Sequence, residues 1–176
     1  TYTSVGAKTV TLTINSAGGP DTEIKPNYVT VISAPSAPTS ISGNTVVCQG
    51  ETDVNYSTNS VANATSYSWN FASGIIQNTG GNTNVISVNI STTAVTGTIG
   101  VNAANSCGAS STKTILVTIN PLPTQASVIT GTNTVCQGIN GITYIATNLN
   151  NATSYVWTLP TGANIISGNN TGSITV

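Results

Sequence analysis

NATSYSW, Asn63 to Trp69, and NATSYVW, Asn151 to Trp157, are one phrase written twice, 88 residues apart. The offset holds on either side of it. GNTVVCQG (Gly43 to Gly50) returns as GTNTVCQG (Gly131 to Gly138), so Cys48 maps onto Cys136 and Tyr56 onto Tyr144. Gly74 maps onto Gly162, and Ile86-Ser87-Val88 onto Ile174-Thr175-Val176. Val29-Thr30-Val31 maps onto Val117-Thr118-Ile119, and Pro35 onto Pro123. Solenoid units run about 20–50 residues, so a period this long means tandem domains. The expected division is 1–33, the closing part of one module; 34–38, a linker; 39–120, a whole module; 121–123, a second linker; and 124–176, the opening part of a third.

Working outward from the phrase, apolar residues alternate with polar ones. Tyr67, Trp69 and Phe71 alternate with Ser68 and Asn70; Ile86, Val88 and Ile90 with Ser87 and Asn89; Val10, Leu12 and Ile14 with threonines; Ile115, Val117 and Ile119 with Leu116 and Thr118. Period two in Val, Ile, Thr and aromatic residues marks half-buried strands. Gly, Asn and Ser clusters, such as Asn78 to Asn84 and Gly168 to Gly172, separate them at sandwich spacing. No segment carries a helical pattern. The expected fold is all-β.

Charge is nearly absent: three Lys and Arg, four Asp and Glu, and no His. Ser, Thr and Asn make up 74 of the 176 residues, so hydroxyls and amides supply the polar surface. Nucleic-acid binding needs clustered Lys or Arg to displace counterions, and there is no such cluster. No run of 18 apolar residues offers a membrane-spanning helix.

Cys48 and Cys107 stand 59 residues apart in the whole module, at VCQG and NSCG. Their places suggest a disulfide tying the module's beginning to its end, worth roughly 4 kcal/mol in the chain-entropy model. Cys136 repeats Cys48, and its partner would fall at 195, so it is expected to be unpaired. In the opening fragment, Asn15-Ser16-Ala17-Gly18 parallels Asn105-Ser106-Cys107-Gly108, with Ala in the place of Cys.

Thr1-Tyr2-Thr3-Ser4-Val5-Gly6, with the strand Lys8 to Ile14 and then Asn15 and Gly18, resembles the closing half of a PKD domain. Trp69-Asn70-Phe71-Ala72-Ser73-Gly74 resembles that family's Trp-Asp-Phe-Gly-Asp-Gly signature, and Trp157-Thr158-Leu159-Pro160-Thr161-Gly162 does so more weakly. VCQG, NATSYxW and NSCG resemble the PKD-like subtype found in large secreted surface proteins of gliding and polymer-degrading Bacteroidota. The resemblance implies an immunoglobulin-like sandwich of about seven strands, with Trp69 and Trp157 in equivalent cores. Both signature Asp are replaced, by Asn70 and Ser73 and by Thr158 and Thr161, which removes carboxylates a cation would use.

Tyr56, Tyr67, Tyr144 and Tyr155 sit at repeated strand positions and are expected in the core beside the tryptophans. Tyr2 suits a tyrosine corner, and Tyr28 is left as a loose candidate for sugar stacking. Asp21 with Glu23, and Glu51 with Asp53, are the paired acids, weak candidates for a cation or for acid–base work. Lys113 shares an alternation face with Ile115, but a strand-end Lys more often extends into water. Asn55, Asn63, Asn89, Asn151 and Asn169 head Asn-x-Ser/Thr sequons, and Asn63 and Asn151 read equally as turn residues.

No cofactor is implied, and no catalytic constellation. The expectation is a structural or adhesive segment of an extracellular bacterial filament or giant cell-surface adhesin, with type IX export implied by the resemblance alone. The alternative is a spacer or carbohydrate-binding repeat of a secreted polysaccharide-degrading enzyme. Expected partners are neighbouring modules of the same parent chain, or other copies meeting head to tail in a fibre, because 1–33 and 124–176 cannot each bury an inner face alone. Surface glycans are a further candidate. Proline-bearing linkers should be extended and semi-rigid.

Overall fold

The computed structural model describes residues 1–126, 128–147 and 149–176. The chain is all-β, with no helix among the described residues.

β1 (Gly6–Ser16) and β2 (Gly19–Val31) form an antiparallel hairpin closed at Ser16 opposite Gly19, with a register shift between Lys8 and Val10. The alternation expected of Val10, Leu12 and Ile14 does form a strand. Its apolar face is not covered, however: these residues are 42%, 63% and 58% exposed.

The central unit is a complete sandwich. Its strands are β3 (Ile41–Gly43), β4 (Val46–Cys48), β5 (Val54–Thr58), β6 (Ser66–Asn70), β7 (Ile75–Thr79), β8 (Val85–Ile90), β9 (Gly97–Asn105), β10 (Gly108–Ala109) and β11 (Lys113–Asn120). One sheet runs β3-β5-β8-β7; in the other, β9 pairs with β6, β10 and β11, and β11 pairs with β4. All pairings are antiparallel except β11 with β4, which is parallel. β3 and β4 thus lie on one short segment that changes sheets. The change occurs over Tyr56, whose ring leaves no space for a Cβ on Gly43 and whose hydroxyl donates to the Asn44 carbonyl at 2.6 Å. Gly43 takes φ 155°, which favours glycine.

Alternation decides which side chains meet. Ile86, Val88 and Ile90 enter the core from one sheet with Val54, Tyr56 and Ile75, and Ile99, Val117 and Ile119 from the other with Val47. Leu116, out of phase, is 59% exposed. Every member of this core lies within residues 41–120, so the unit closes on itself.

The last segment carries β12 (Val128–Gly131), β13 (Thr143–Thr147) and β14 (Ser173–Thr175), one antiparallel sheet in the order β12-β13-β14. It corresponds to β3-β5-β8. Residues 154–158, which repeat β6, form no strand.

Candidate functional site

The repeated aromatic residues divide by depth. Tyr56 is 1% exposed. Tyr67, Trp69, Tyr144, Tyr155 and Trp157 are only half-buried, so the full burial expected of the tryptophans is not seen. The reason is local: each indole N–H needs an acceptor and finds it at the sheet margin. Trp69 Nε1 donates to Thr83 O and Trp157 Nε1 to Thr171 O, both at 2.9 Å. The Trp69 ring still packs against the core. The Tyr67 hydroxyl accepts from Val61 N at 2.8 Å, and Tyr144 repeats the bond of Tyr56 by donating to Thr132 O at 2.9 Å.

The cysteines are placed differently from the expectation. Cys48, Cys107 and Cys136 are all free and exposed, and the bridge expected between Cys48 and Cys107 is not formed. Topology explains why. Cys107 lies in the turn after β9, just beyond Asn105. Cys48 pairs with Asn120, past Val117, which faces Gly97 at the opposite end of β9. The strand between them is nine residues long, about 30 Å at 3.3 Å per residue. A disulfide tolerates about 7 Å between Cα atoms.

Each end of the sandwich holds a junction. At the entry end, Asn105 Nδ2 donates to Ser33 O at 2.8 Å and to Asn63 O at 2.9 Å, while Cys107 N donates to Asn105 Oδ1 at 2.8 Å. The Cys107 thiol donates to Ile32 O at 3.5 Å. Pro35 and Pro38 are buried, and Asn59 Oδ1 accepts from Thr39 N at 2.9 Å, so the segment 34–38 is pressed onto the sandwich. At the exit end, Gln49 spans the gap: its amide Nε2 donates to Ala94 O at 2.9 Å, and its Oε1 accepts from Leu122 N at 3.1 Å. Gln49 N donates to Asn120 O at 2.9 Å. Asn151 Nδ2 reaches Leu122 O at 3.4 Å from the far side of that junction.

An open groove of about 880 Å³ in the last segment is lined by Ile129, Tyr144, Trp157, Ile166 and Val176 among others. Ile129, Tyr144 and Trp157 repeat Ile41, Tyr56 and Trp69, of which Tyr56 belongs to the core of the central unit and Ile41 and Trp69 pack against it. The groove is therefore an uncovered core face in shape and lining.

The acids are separate. Glu51 Oε1 accepts from Cys48 N at 2.8 Å, and Asp53 Oδ1 accepts from Asn78 Nδ2 at 2.6 Å. Asp21 Oδ1 accepts from Thr22 N within its own exposed strand, where Glu23 is exposed too. Among the described residues no three His, Cys, Asp or Glu gather as a metal site would need. Burial, and after it the Glu51 carboxylate, push the Tyr56 phenol above its ordinary value. Tyr2 and Tyr28 are 60% and 66% exposed, with Lys25 Nζ 5.5 Å from the Tyr28 ring centre. Lys113 is exposed. Asn63 and Asn151 both take φ 63°, which suits turn asparagines. The functional residues that sequence reasoning passed over are Asn105 and Gln49, the two junction clamps. Their signal was position: each lies inside a cysteine motif, Asn105 in NSCG and Gln49 in VCQG.

A family model described as PKD-like domain matches residues 34–117 and 122–176. No curated protein matches the chain.

Proposed function

Starting from the fact that this chain belongs to the PKD-like domain family, we propose that it is a non-catalytic structural or adhesive segment of an extracellular bacterial filament or giant surface adhesin. PKD-like domains are typically modules of larger chains in extracellular or surface proteins, and an immunoglobulin-like sandwich suits a structural or adhesive role. One observation carries the reading. The segment 34–38 is not a loose tether: Pro35 and Pro38 are buried, and Asn59 and Asn105 bind the backbone on either side of it. A sandwich that seizes its incoming linker transmits orientation from one module to the next, as a rod requires. Neighbouring modules of the parent chain, or further copies in a fibre, are the partners that would cover the hairpin β1–β2 and the open face of 124–176.

The test is the scaling of length. Arrays of two, four and six repeats of residues 34–121 are measured by small-angle scattering. A rod lengthens in proportion to repeat number. Growth with the square root of repeat number, the mark of flexible linkage, would overturn the proposal. Retention of the same arrays on polysaccharide columns would favour carbohydrate binding instead.

A further inference from the structure

We propose that the two cysteines of a module pair with those of its neighbours, stapling each junction: the VCQG thiol of one module with the NSCG thiol of the next. The inference rests on the tandem arrangement but not on the stiffness of the array.

Within one module the two cysteines lie at opposite ends, Cys48 at the exit end and Cys107 at the entry end, and both are free and exposed. What each one faces is informative. Cys107 Sγ donates to the carbonyl of Ile32, the residue that follows β2 of the preceding segment. At the 88-residue offset, Ile32 corresponds to Asn120, since Val29-Thr30-Val31 maps onto Val117-Thr118-Ile119. In the central unit Asn120 is the very residue paired with Cys48, and its carbonyl accepts from Gln49 N at 2.9 Å. The carbonyl that an incoming NSCG thiol turns towards is thus the carbonyl that holds the VCQG strand of the module before it. One cysteine from each module neighbours the same peptide group, Cys107 through its thiol and Cys48 through its strand pairing. The junctions keep equal length, Ile32 to Pro35 matching Asn120 to Pro123, so the approach recurs at every step. At the second junction the NSCG position falls at 195 (107 and 88), past the 176 residues.

The chemistry is thiol–disulfide exchange with a small-molecule disulfide such as oxidised glutathione. The two module thiols lose two protons and two electrons and become one S–S bond. The oxidant takes up both and leaves as two small thiols. A cross-link at a junction acts on two modules at once. It holds the exit of β11 against the entry turn of its neighbour, where Asn105 and Gln49 already bind the backbone.

Two rules then compete on the same sequence. Pairing within a module gives a VCQG cysteine in the module of the opening hairpin no partner, because Ala17 stands where that partner would be. Pairing between modules requires that cysteine, because Cys107 needs it.

The experiment uses residues 34–121 joined twice in tandem, a unit whose core is its own. One variant keeps only Cys48 of the first copy and Cys107 of the second, the others being Cys→Ser. A second variant keeps both cysteines of the first copy. The 1–176 chain is run beside them. After treatment with oxidised glutathione, free thiols are counted by alkylation and mass, and linked peptides are mapped. The first variant should lose both thiols into one intramolecular bond; the second variant should keep two, and the 1–176 chain three. Retained thiols in the first variant, or closure in the second or in the 1–176 chain, would overturn the staple. Circular dichroism confirms that all variants are folded, and serine at these exposed sites leaves the core untouched. An array that scatters as a rod without the bond removes the staple and leaves the proposed function standing; an array that is flexible and yet cross-linked does the reverse.

Discussion

The phrase NATSYxW forms strand β6 at its first occurrence and no strand at its second. The two copies differ by one residue in seven, Ser68 against Val156, and Val is the better strand former. Propensity therefore runs opposite to the outcome. What differs is the partner. Ser66 to Asn70 pair with β9 over Ala104 to Gly100, whereas residues 154–158 meet no counterpart of β9 among the described residues. The other half of the module behaves alike in both copies: β12, β13 and β14 pair as β3, β5 and β8 do, and Tyr144 keeps the hydrogen bond of Tyr56, while Trp157 keeps that of Trp69 without a strand around it. One sheet of this sandwich forms from its own strands, and the other waits for β9.

The largest effect should come from deleting the same ring in both places. Tyr56→Ala empties a fully enclosed site and should cost about 3–5 kcal/mol. Tyr144→Ala removes a half-buried ring on an open face and should cost on the order of 1 kcal/mol. Urea unfolding, with each segment followed by its own tryptophan, reads both. Equal losses would mean that the last segment has a closed core after all. Hydrogen exchange tests the partner argument next. The β6 amides that face β9 should exchange at least about a hundredfold more slowly than those of 154–158, because they donate to a paired strand. Equal protection would sink the claim that β9 makes the strand.

Gly43 and Gly131 sharpen the comparison at smaller amplitude. Both take φ 155°, and a Cβ on either would meet a tyrosine ring. Tyr56 is walled in and cannot move, so Gly43→Ala should cost about 1–3 kcal/mol as overpacking. Tyr144 has an open side to swing into, so Gly131→Ala should cost less than about 1 kcal/mol. Thermal melts of the two variants decide it, and a larger loss at Gly131 would contradict the open-face description.

Much of the fold was legible because alternation is a direct record of which side of a sheet is covered. Ile86, Val88, Ile90, Val117 and Ile119 announced the core, and Leu116 announced its own exposure. Val10, Leu12 and Ile14 show the limit of that record: the pattern states which face should be covered, and the hairpin forms with that face open. The tryptophans read as core because the pattern weighs carbon. An indole also carries a donor, and Thr83 and Thr171 hold it at the margin. The cysteines misled for a topological reason. A spacing of 59 residues is silent about ends. The turn holding Cys107 precedes the last strand and so lies at its start. Placing Cys48 at the finish of that strand depends on the parallel pairing of β4 with β11, a long-range contact with no local signal.

The smallest effect is that of alkaline pH, and it separates the closed unit from the open one through a single phenol. Tyr56 is buried beneath Gly43 and donates to Asn44 O at 2.6 Å. Burial first, and the Glu51 carboxylate second, keep its proton on above the ordinary value of 10.0. The folded state therefore binds that proton more tightly than the unfolded chain does. The stabilisation is present in full below the unfolded value near 10 and is lost as pH rises through the higher folded value. Urea midpoints of the central unit should be level with respect to this group from neutral pH to about 9, then fall above about 10. Tyr56→Phe removes the titrating group together with its bond to Asn44. That variant should start from a lower plateau and lose the part of the alkaline decline that Tyr56 causes. Glu51→Gln removes the second cause while keeping an oxygen for Cys48 N, so its decline should begin at slightly lower steepness. A decline of undiminished size in Tyr56→Phe would show that the phenol does not couple to folding.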